Sequence, residues 1–295
     1  MIGRVQIDQL KARATVAALP LRDAKLSLRA MAIRACCPRS ARSSAENVFH
    51  CCVQRTGSRW LLRVLSDPII YRYSGLTQQP YPQLPSRLRR DAAGKPLPPK
   101  LRPHTIIGPL YYDFGTFTQL TRPENYRAFF VLRDPRDMVV SNYFSTRDTH
   151  RLNPLIAERR HALKQISEEE GLLQIIQWQG EDNLFGSIES WFRGQEEHGE
   201  QVRVFRYEDI TGERQSEVLR ELLAFIGVDL PEEDFARLRE KYSLQAMRGG
   251  KTGEVVANSH YRSGKPGGWR KHFTDAVAER LAAAAGSGAR ALYEF

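Results

Sequence analysis

Val48-Phe49-His50-Cys51-Cys52-Val53-Gln54-Arg55-Thr56-Gly57-Ser58-Arg59-Trp60-Leu61-Leu62 runs from a short apolar segment through a compact polar turn into an apolar-periodic segment. The first part reads as a strand and the last as a helix. The turn between them, Arg55 to Arg59, holds two guanidinium groups, two hydroxyls and a glycine, with Trp60 behind it. Such a turn suits a phosphate. Glycine lets backbone N–H groups approach an anion, the following helix directs its positive end at the same place, and the arginines neutralise charge. The turn lacks G-x-x-x-x-G-K-[ST] and places nothing to hold magnesium, so a nucleotide handled without a metal fits it better than a nucleoside triphosphate.

The chain around this stretch has 295 residues and 41% hydrophobic content, enough for one large α/β domain or two small ones. Its net charge of +10 is unevenly spread. Residues 1–45 carry nine Lys/Arg against Asp8 and Asp23, so seven of the ten net charges lie there and the other 250 residues carry three. The basicity thus belongs to an N-terminal arm, 1–45, and the body, 46–295, is not expected to bind nucleic acid. The arm contains Leu19-Pro20-Leu21-Arg22, Leu26, Leu28, Met31 and Ile33 at helical spacing, with Lys25, Arg29 and Arg34 between them. That pattern fits a basic helix packed on the body, or one making peripheral membrane contact. Four cysteines in two adjacent pairs, Cys36-Cys37 and Cys51-Cys52, have no zinc spacing and no disulfide-framework spacing, which points to a reducing cytoplasm. No run approaches the ~20 apolar residues of a membrane span.

Strand-like runs occur at 47–53, 105–108, 127–133 and 201–206, each short and apolar as in a sheet buried on both faces. Helical patterns occupy 58–65, 136–144, a long stretch from about 154 to 193, 214–226 and 275–285. The alternation predicts a single α/β domain with a mainly parallel central sheet flanked by helices. Ligands of such sheets sit beyond the carboxyl ends of the strands, where the Arg55 and Arg133 turns both fall. Pro80, Pro82, Pro85, Pro96, Pro98, Pro99 and Pro103 mark an extended loop that could shape a substrate entrance, and glycines from Gly249 to Gly268 mark a second, basic loop.

The second phosphate-directed element is Arg133-Asp134-Pro135-Arg136-Asp137-Met138-Val139-Val140-Ser141-Asn142-Tyr143: a strand ends in an arginine, a proline opens a helix and Ser141 follows two turns on. Arg133 and Ser141 could share one phosphate; the alternative is an ordinary strand-to-helix corner with Arg133 in a salt bridge. The third is Tyr261-Arg262-Ser263-Gly264-Lys265-Pro266-Gly267-Gly268-Trp269-Arg270-Lys271-His272-Phe273-Thr274, a cationic, glycine-rich loop.

Together these elements resemble the sulfotransferase family that uses 3′-phosphoadenosine 5′-phosphosulfate (PAPS). The family's phosphosulfate loop, Y-P-K-S-G-T-T-W, corresponds to Val53–Trp60. Its R-N/D-P-K/R-D-x-x-V-S-x-Y motif corresponds to Arg133–Tyr143, and its late R-K-G-x-x-G-D-W-K-N-H-F-T motif to Arg262–Thr274. Tyr207-Glu208-Asp209 matches a Tyr-Glu-Asp that follows a central strand in the family. The resemblance implies a P-loop-like phosphosulfate loop, PAPS as donor, 3′-phosphoadenosine 5′-phosphate (PAP) as product and no metal. It implies that Arg55, at the position of a family lysine, stabilises the departing phosphate, and that Thr56, Gly57, Ser58 and Arg59 hold the 5′-phosphate. Arg133 and Ser141, with Arg262, Ser263 and Gly264, would grip the 3′-phosphate, and Trp60 and Tyr207 would flank the adenine.

The chain departs from the family pattern in three places. Cytosolic members carry a general-base histidine in K-T-H-L-P, whereas the corresponding stretch here, Ile106 to Asp113, has none. The nearest candidates are His104, otherwise a loop histidine, and Asp113, otherwise a capping residue. Arg270, Thr274, Asp275 and Glu279 fall in register with the family's dimer segment K-x-x-x-T-V-x-x-x-E, but Asp275 replaces an apolar contact, which leaves monomer or dimer open. Gly268 replaces the aspartate of Gly-Asp-Trp, and His272 in the same motif reads as a structural donor. The expected reaction is sulfuryl transfer to a hydroxyl or amine of a small-molecule or carbohydrate acceptor. The alternatives are a phosphoryl-transfer kinase, which would need a magnesium-binding arrangement this loop lacks, and a nucleotide-binding module without turnover.

Overall fold

β1 (Asn47–Cys52) is buried along its whole length, as a strand must be when it has neighbours on both edges and helices on both faces. It pairs in parallel with β3 (Thr105–Leu110) on one side and β4 (Tyr126–Leu132) on the other. β2 (Thr77–Gln79) lies outside β3 and β5 (Val202–Arg206) outside β4, giving a five-stranded parallel sheet in the order β2-β3-β1-β4-β5. The structure is a computed structural model that describes residues 19–79, 101–150, 152–243, 246 and 267–295. Much of the proline-rich loop and the Arg262, Ser263 and Gly264 segment lie outside the described residues.

Alternation along the strands fills two cores. Phe49, Cys51, Ala128, Phe130 and Leu132 point to one face, where α4 (Phe114–Thr118), α5 (Pro135–Phe144), α7 (Glu168–Glu181), α8 (Leu184–His198), α12 (Asp275–Ala284) and α13 (Ser287–Tyr293) contribute side chains. Val48, Cys52, Phe129 and Val131 point to the other. There they meet α2 (Ser58–Leu65), α3 (Pro68–Ser74), α10 (Gln215–Phe225) and α11 (Glu232–Lys241). Helices α6 (Pro154–Leu163) and α9 (Tyr207–Thr211) complete the set, Leu163 joining the first core and Ile210 the second; one more helix precedes β1. That first helix, α1 (Leu19–Cys36), packs on the body, with Ala30 buried and Arg34 Nε donating to Thr77 Oγ1 at 3.0 Å. Among the described residues, no helix is long and apolar enough to cross a membrane.

The long helical stretch from 154 to 193 divides among three helices. Ser167 caps α7 in a reciprocal box with Glu170, which fixes a new helix start after α6. Asn183, in the left-handed conformation at φ 55°, then turns the chain between α7 and α8. Strand β3 runs two residues past its expected end at Gly108, through Pro109 and Leu110. Its register with β1 shifts between Phe49 and Cys51. Gly108, at φ 143°, permits the shift because a Cβ there would lie 2.4 Å from the His50 carbonyl oxygen. Trp191 stacks on Phe130 at 4.9 Å and donates its Nε1–H to the Tyr112 carbonyl at 2.8 Å, fixing the chain just past β3.

His50 is fully enclosed, stacked on Phe129 with centroids 4.9 Å apart, and neither ring nitrogen has a hydrogen-bond partner among the described residues. Burial lowers its pKa from 6.5 to about 3. A buried neutral imidazole binds its proton more readily when unfolded, so stability is complete above about 6.5 and declines as pH falls toward 3, by about 1.4 kcal/mol per unit. His50→Phe is expected to flatten this acid limb. Urea unfolding between pH 4 and 7 tests it, and an unchanged slope rules the imidazole out as the cause.

Candidate active site

The carboxyl ends of β1, β3, β4 and β5 open on the same edge of the sheet. The parallel order places them side by side around the strand at which the connections change direction, a position where α/β folds form ligand crevices.

At the β1 exit, Arg55 and Gly57 both adopt positive φ, 69° and 68°. The chain therefore turns sharply before α2 begins at Ser58, with Gly57 as a cap that supplies no side-chain hydrogen bond. Neither an acidic residue nor a capping side chain occupies the first turn of α2, which leaves the positive end of that helix for an external anion. Thr56 is buried and donates its hydroxyl to the Val53 carbonyl at 2.8 Å, holding the turn from inside, while Arg59 is exposed. Trp60 is only 6% exposed and donates its Nε1–H to the Tyr242 carbonyl at 2.7 Å, so its ring belongs to the core beneath the turn.

At the β4 exit, Asp134 caps α5 by accepting the Arg136 N–H, and Pro135 occupies the first turn. The helix carries Ser141 back toward β1, where its hydroxyl accepts from Arg55 Nε at 3.0 Å. Arg133 donates from Nη1 to the Arg55 carbonyl at 3.2 Å and lies over the Tyr207 ring at 4.7 Å. Its Nη2 is 4.0 Å from Asp137 Oδ2, and its buried Nε has no partner among the described residues. At the β5 exit, the Tyr207 ring sits over Gly57 so closely that a Cβ on Gly57 would lie 2.8 Å from it. Arg55, Gly57, Arg133, Ser141 and Tyr207 therefore meet in one place.

The electrostatics follow from that meeting. Burial first, then the charges of Arg133 and Arg59, pull the Arg55 guanidinium from 12.5 down to about 10, so it remains cationic at neutral pH. Asp137 compensates only in part, because its carboxylate also accepts the Gly267 and Trp269 amides at 2.7 and 3.0 Å. Those two bonds tie the described end of the third motif to the Arg133 helix. An orphaned buried guanidinium N–H, two like charges side by side and an uncapped helix start all fit a phosphorylated ligand.

The two candidates for the acceptor side differ in place. His104 precedes β3, whose first residue Thr105 pairs with Asn47 at the start of β1, so His104 stands at the amino end of the sheet. It bonds Arg42 there, a full strand length from Arg55. This corrects the reading of His104 as a base. Asp113 lies at the proper end and caps α4, accepting the Thr116 N–H and hydroxyl, each at 2.8 Å. His272 faces Glu168 at 2.6 Å. Tyr111, which sequence reasoning missed, is 39% exposed, and its hydroxyl lies 3.2 Å from Ser58 Oγ at the mouth of the loop. Its only sequence signal is its place just beyond a strand end. Asp137 and Glu208 lie inside motifs, but nothing in the sequence reveals their partners.

A family model described as Sulfotransferase domain matches residues 114–291. Mouse sulfotransferase SULT7A1, solved with PAP, shares the fold with a TM-score of 0.57 and 17% identity, over 90% of this chain and 92% of that one. Retinol dehydratase, solved with retinol and PAP, aligns with a TM-score of 0.50 and 16% identity, over 86% and 81%. No curated protein matches by sequence. With the family model covering more than half of its length and the expected strand exits in place, this chain belongs to the sulfotransferase family.

Proposed function

We propose that the protein transfers the sulfuryl group of PAPS to a hydroxyl or amine of a small-molecule acceptor, carbohydrates included, at the crevice formed by the exits of β1, β3, β4 and β5. The observation that carries the reading is the Arg55–Ser141 hydrogen bond beside Arg133, whose Nε is buried without a partner. Two guanidiniums held together on a rigid sheet edge need an anion of comparable charge. PAP, bearing phosphates at 3′ and 5′, is the ligand in both solved relatives compared above.

Bound PAPS supplies an activated sulfuryl group on a phosphate leaving group. Arg55, with the amides of Thr56, Gly57 and Ser58, the Ser58 hydroxyl, and Arg59 at the rim, would hold the 5′ end and neutralise the charge that grows on the leaving phosphate. Arg55 works by charge and geometry alone, since a guanidinium is a poor proton relay. Arg133 and Ser141 would bind the 3′-phosphate, joined by Arg262, Ser263 and Gly264 of the third motif, and Tyr207 would stack on the adenine. Trp60 supports the loop from beneath. Asp113 is the acceptor-side candidate base: each carboxylate oxygen retains a lone pair beyond its bond to Thr116. Tyr111 would flank the acceptor. Cytoplasmic location, and membrane contact through the basic arm, are part of the same proposal.

A metal-dependent kinase is the less favoured reading, because the turn after β1 offers no lysine followed by a metal-binding hydroxyl. Thermal stabilisation by PAP, followed by turnover of labelled PAPS with phenols, sterols and sugars, tests the proposal; stabilisation without turnover of any acceptor would favour a binding module.

Arg55→Ala is expected to lower kcat by about 10²- to 10³-fold with the fold intact, measured with any acceptor that the screen identifies. Wild-type turnover would remove Arg55 from the reaction. Arg133→Ala should weaken PAP by on the order of 2 kcal/mol, about thirtyfold by calorimetry. Gly57→Ala places a Cβ 2.8 Å from the Tyr207 ring at a positive φ and should cost about 1–2 kcal/mol of stability as well as PAP affinity. A variant that melts and binds like wild type would mean that the turn has another conformation in solution.

A further inference from the structure

Behind the Arg133 turn lies a closed ring of hydrogen bonds that the transfer reaction does not itself require. Glu208, half-buried at the start of α9, accepts the Asp134 N–H through Oε1 at 2.9 Å and the Tyr293 hydroxyl through Oε2 at 3.0 Å. The Tyr293 carbonyl in turn accepts from Arg136 Nη2 at 2.8 Å. The Arg136 guanidinium returns to Asp134 through Nε and Nη2, at 3.0 and 2.8 Å, closing the circuit. The Arg136 guanidinium lies over the rings of Trp269 and Phe295, 4.3 and 4.7 Å from their centroids, and Arg206 covers Tyr293 at 4.9 Å. Helix α13 is pinned at its other end, where Glu189 accepts the Gly288 and Ala289 amides at 3.1 and 3.0 Å. Burial raises the Glu208 pKa against these hydrogen bonds and the Arg133 charge.

A carboxylate this enclosed needs a reason, because a buried charge is costly unless several donors satisfy it. The donor it meets first is the backbone of Asp134, the residue next to Arg133, so any tilt of that peptide redirects the Arg133 side chain. A shift of about 1 Å is enough to spoil a charged contact with a phosphate. We propose that Glu208 and Tyr293 are positioning residues for the 3′-phosphate: acting from behind the turn, they fix the aim of Arg133 and so set the preference for an adenosine nucleotide phosphorylated at 3′. This rests on the reading that Arg133 faces that phosphate.

The test compares two probes by calorimetry on the full chain, PAP and adenosine 5′-phosphate, which lacks the 3′-phosphate. Wild type is expected to prefer PAP. Tyr293→Phe and Glu208→Ala should each lower the ratio of the two affinities by roughly tenfold, with adenosine 5′-phosphate binding unchanged within twofold. Glu208→Gln should retain the wild-type ratio within about threefold, since its carbonyl can accept the Asp134 N–H and its amide can donate to the Tyr293 oxygen. If Tyr293→Phe and Glu208→Ala keep the ratio while their melting temperatures fall, the pair serves stability alone and the proposal is wrong. An equal loss for both nucleotides overturns it too. Absence of any PAP preference in wild type would instead strike at the assignment of Arg133, so the two failures are distinguishable.

Discussion

Holding two guanidinium groups next to each other at the edge of a buried sheet is the constraint on which the rest of the site depends. Like charges this close repel, and the repulsion is strong where protein displaces water. The chain offsets it with polar and π partners rather than with full ion pairs. Arg55 is held by Ser141, while Arg133 is held by the Arg55 carbonyl and the Tyr207 face, with Asp137 at 4.0 Å. A short ion pair to each arginine would have neutralised the crevice. Leaving the compensation incomplete keeps the positive potential available to a ligand, and the sheet and its flanking helices bear the resulting strain.

Bearing it requires rigidity, which comes from burial on both faces of β1 and from the aromatic packing around Trp191. Phe114, Phe117 and Phe130 surround that indole at 4.9 to 5.1 Å, a set of contacts in which no ring can move alone. The same indole holds the Tyr112 carbonyl, so the exit of β3, with Tyr111 and Asp113, is referenced to the core and not to a mobile loop. Donor and acceptor sides of the crevice are thereby built on one frame, which is what an in-line transfer needs.

Much of this was legible in the sequence, and the parts that were not share a physical cause. Buried parallel strands appear as continuous apolar runs, so β1, β3, β4 and β5 could be found within two residues at either end. β2, Thr77-Gln78-Gln79, has no such run: two of its polar side chains find partners inside the fold, Thr77 accepting from Arg34 Nε and Gln79 from the Arg102 amide and the Thr105 hydroxyl, and no local pattern announces that. Arg55 and Arg133 were legible because each follows a strand end with a glycine or proline two residues on, and Ser141 because it lies two turns into the helix that Pro135 opens. The Glu208–Tyr293 bond spans 85 positions and exists only after α13 has docked. His104 was misread for an avoidable reason. It precedes its strand, and in a parallel sheet whose other exits carry the chemistry, strand direction alone assigns it to the far end.

An arginine in place of the family's lysine at position 55 also separates the two halves of the reaction. The Arg55 pKa, even drawn down to about 10, leaves the guanidinium charged across the neutral range, and the leaving phosphate proposed to face it would depart as an anion without needing a proton. On the proposed reading Arg55 presents a constant charge to the bound nucleotide across the neutral range. The ionisations left to govern turnover there would be those of the nucleotide's own phosphates, with a second pKa of about 6, and of the acceptor with the groups beside it at the β3 exit. Lysine in this position could combine charge with proton exchange; arginine gives up the second to gain a bidentate, pH-insensitive grip, and in doing so moves the whole burden of deprotonation to the acceptor side.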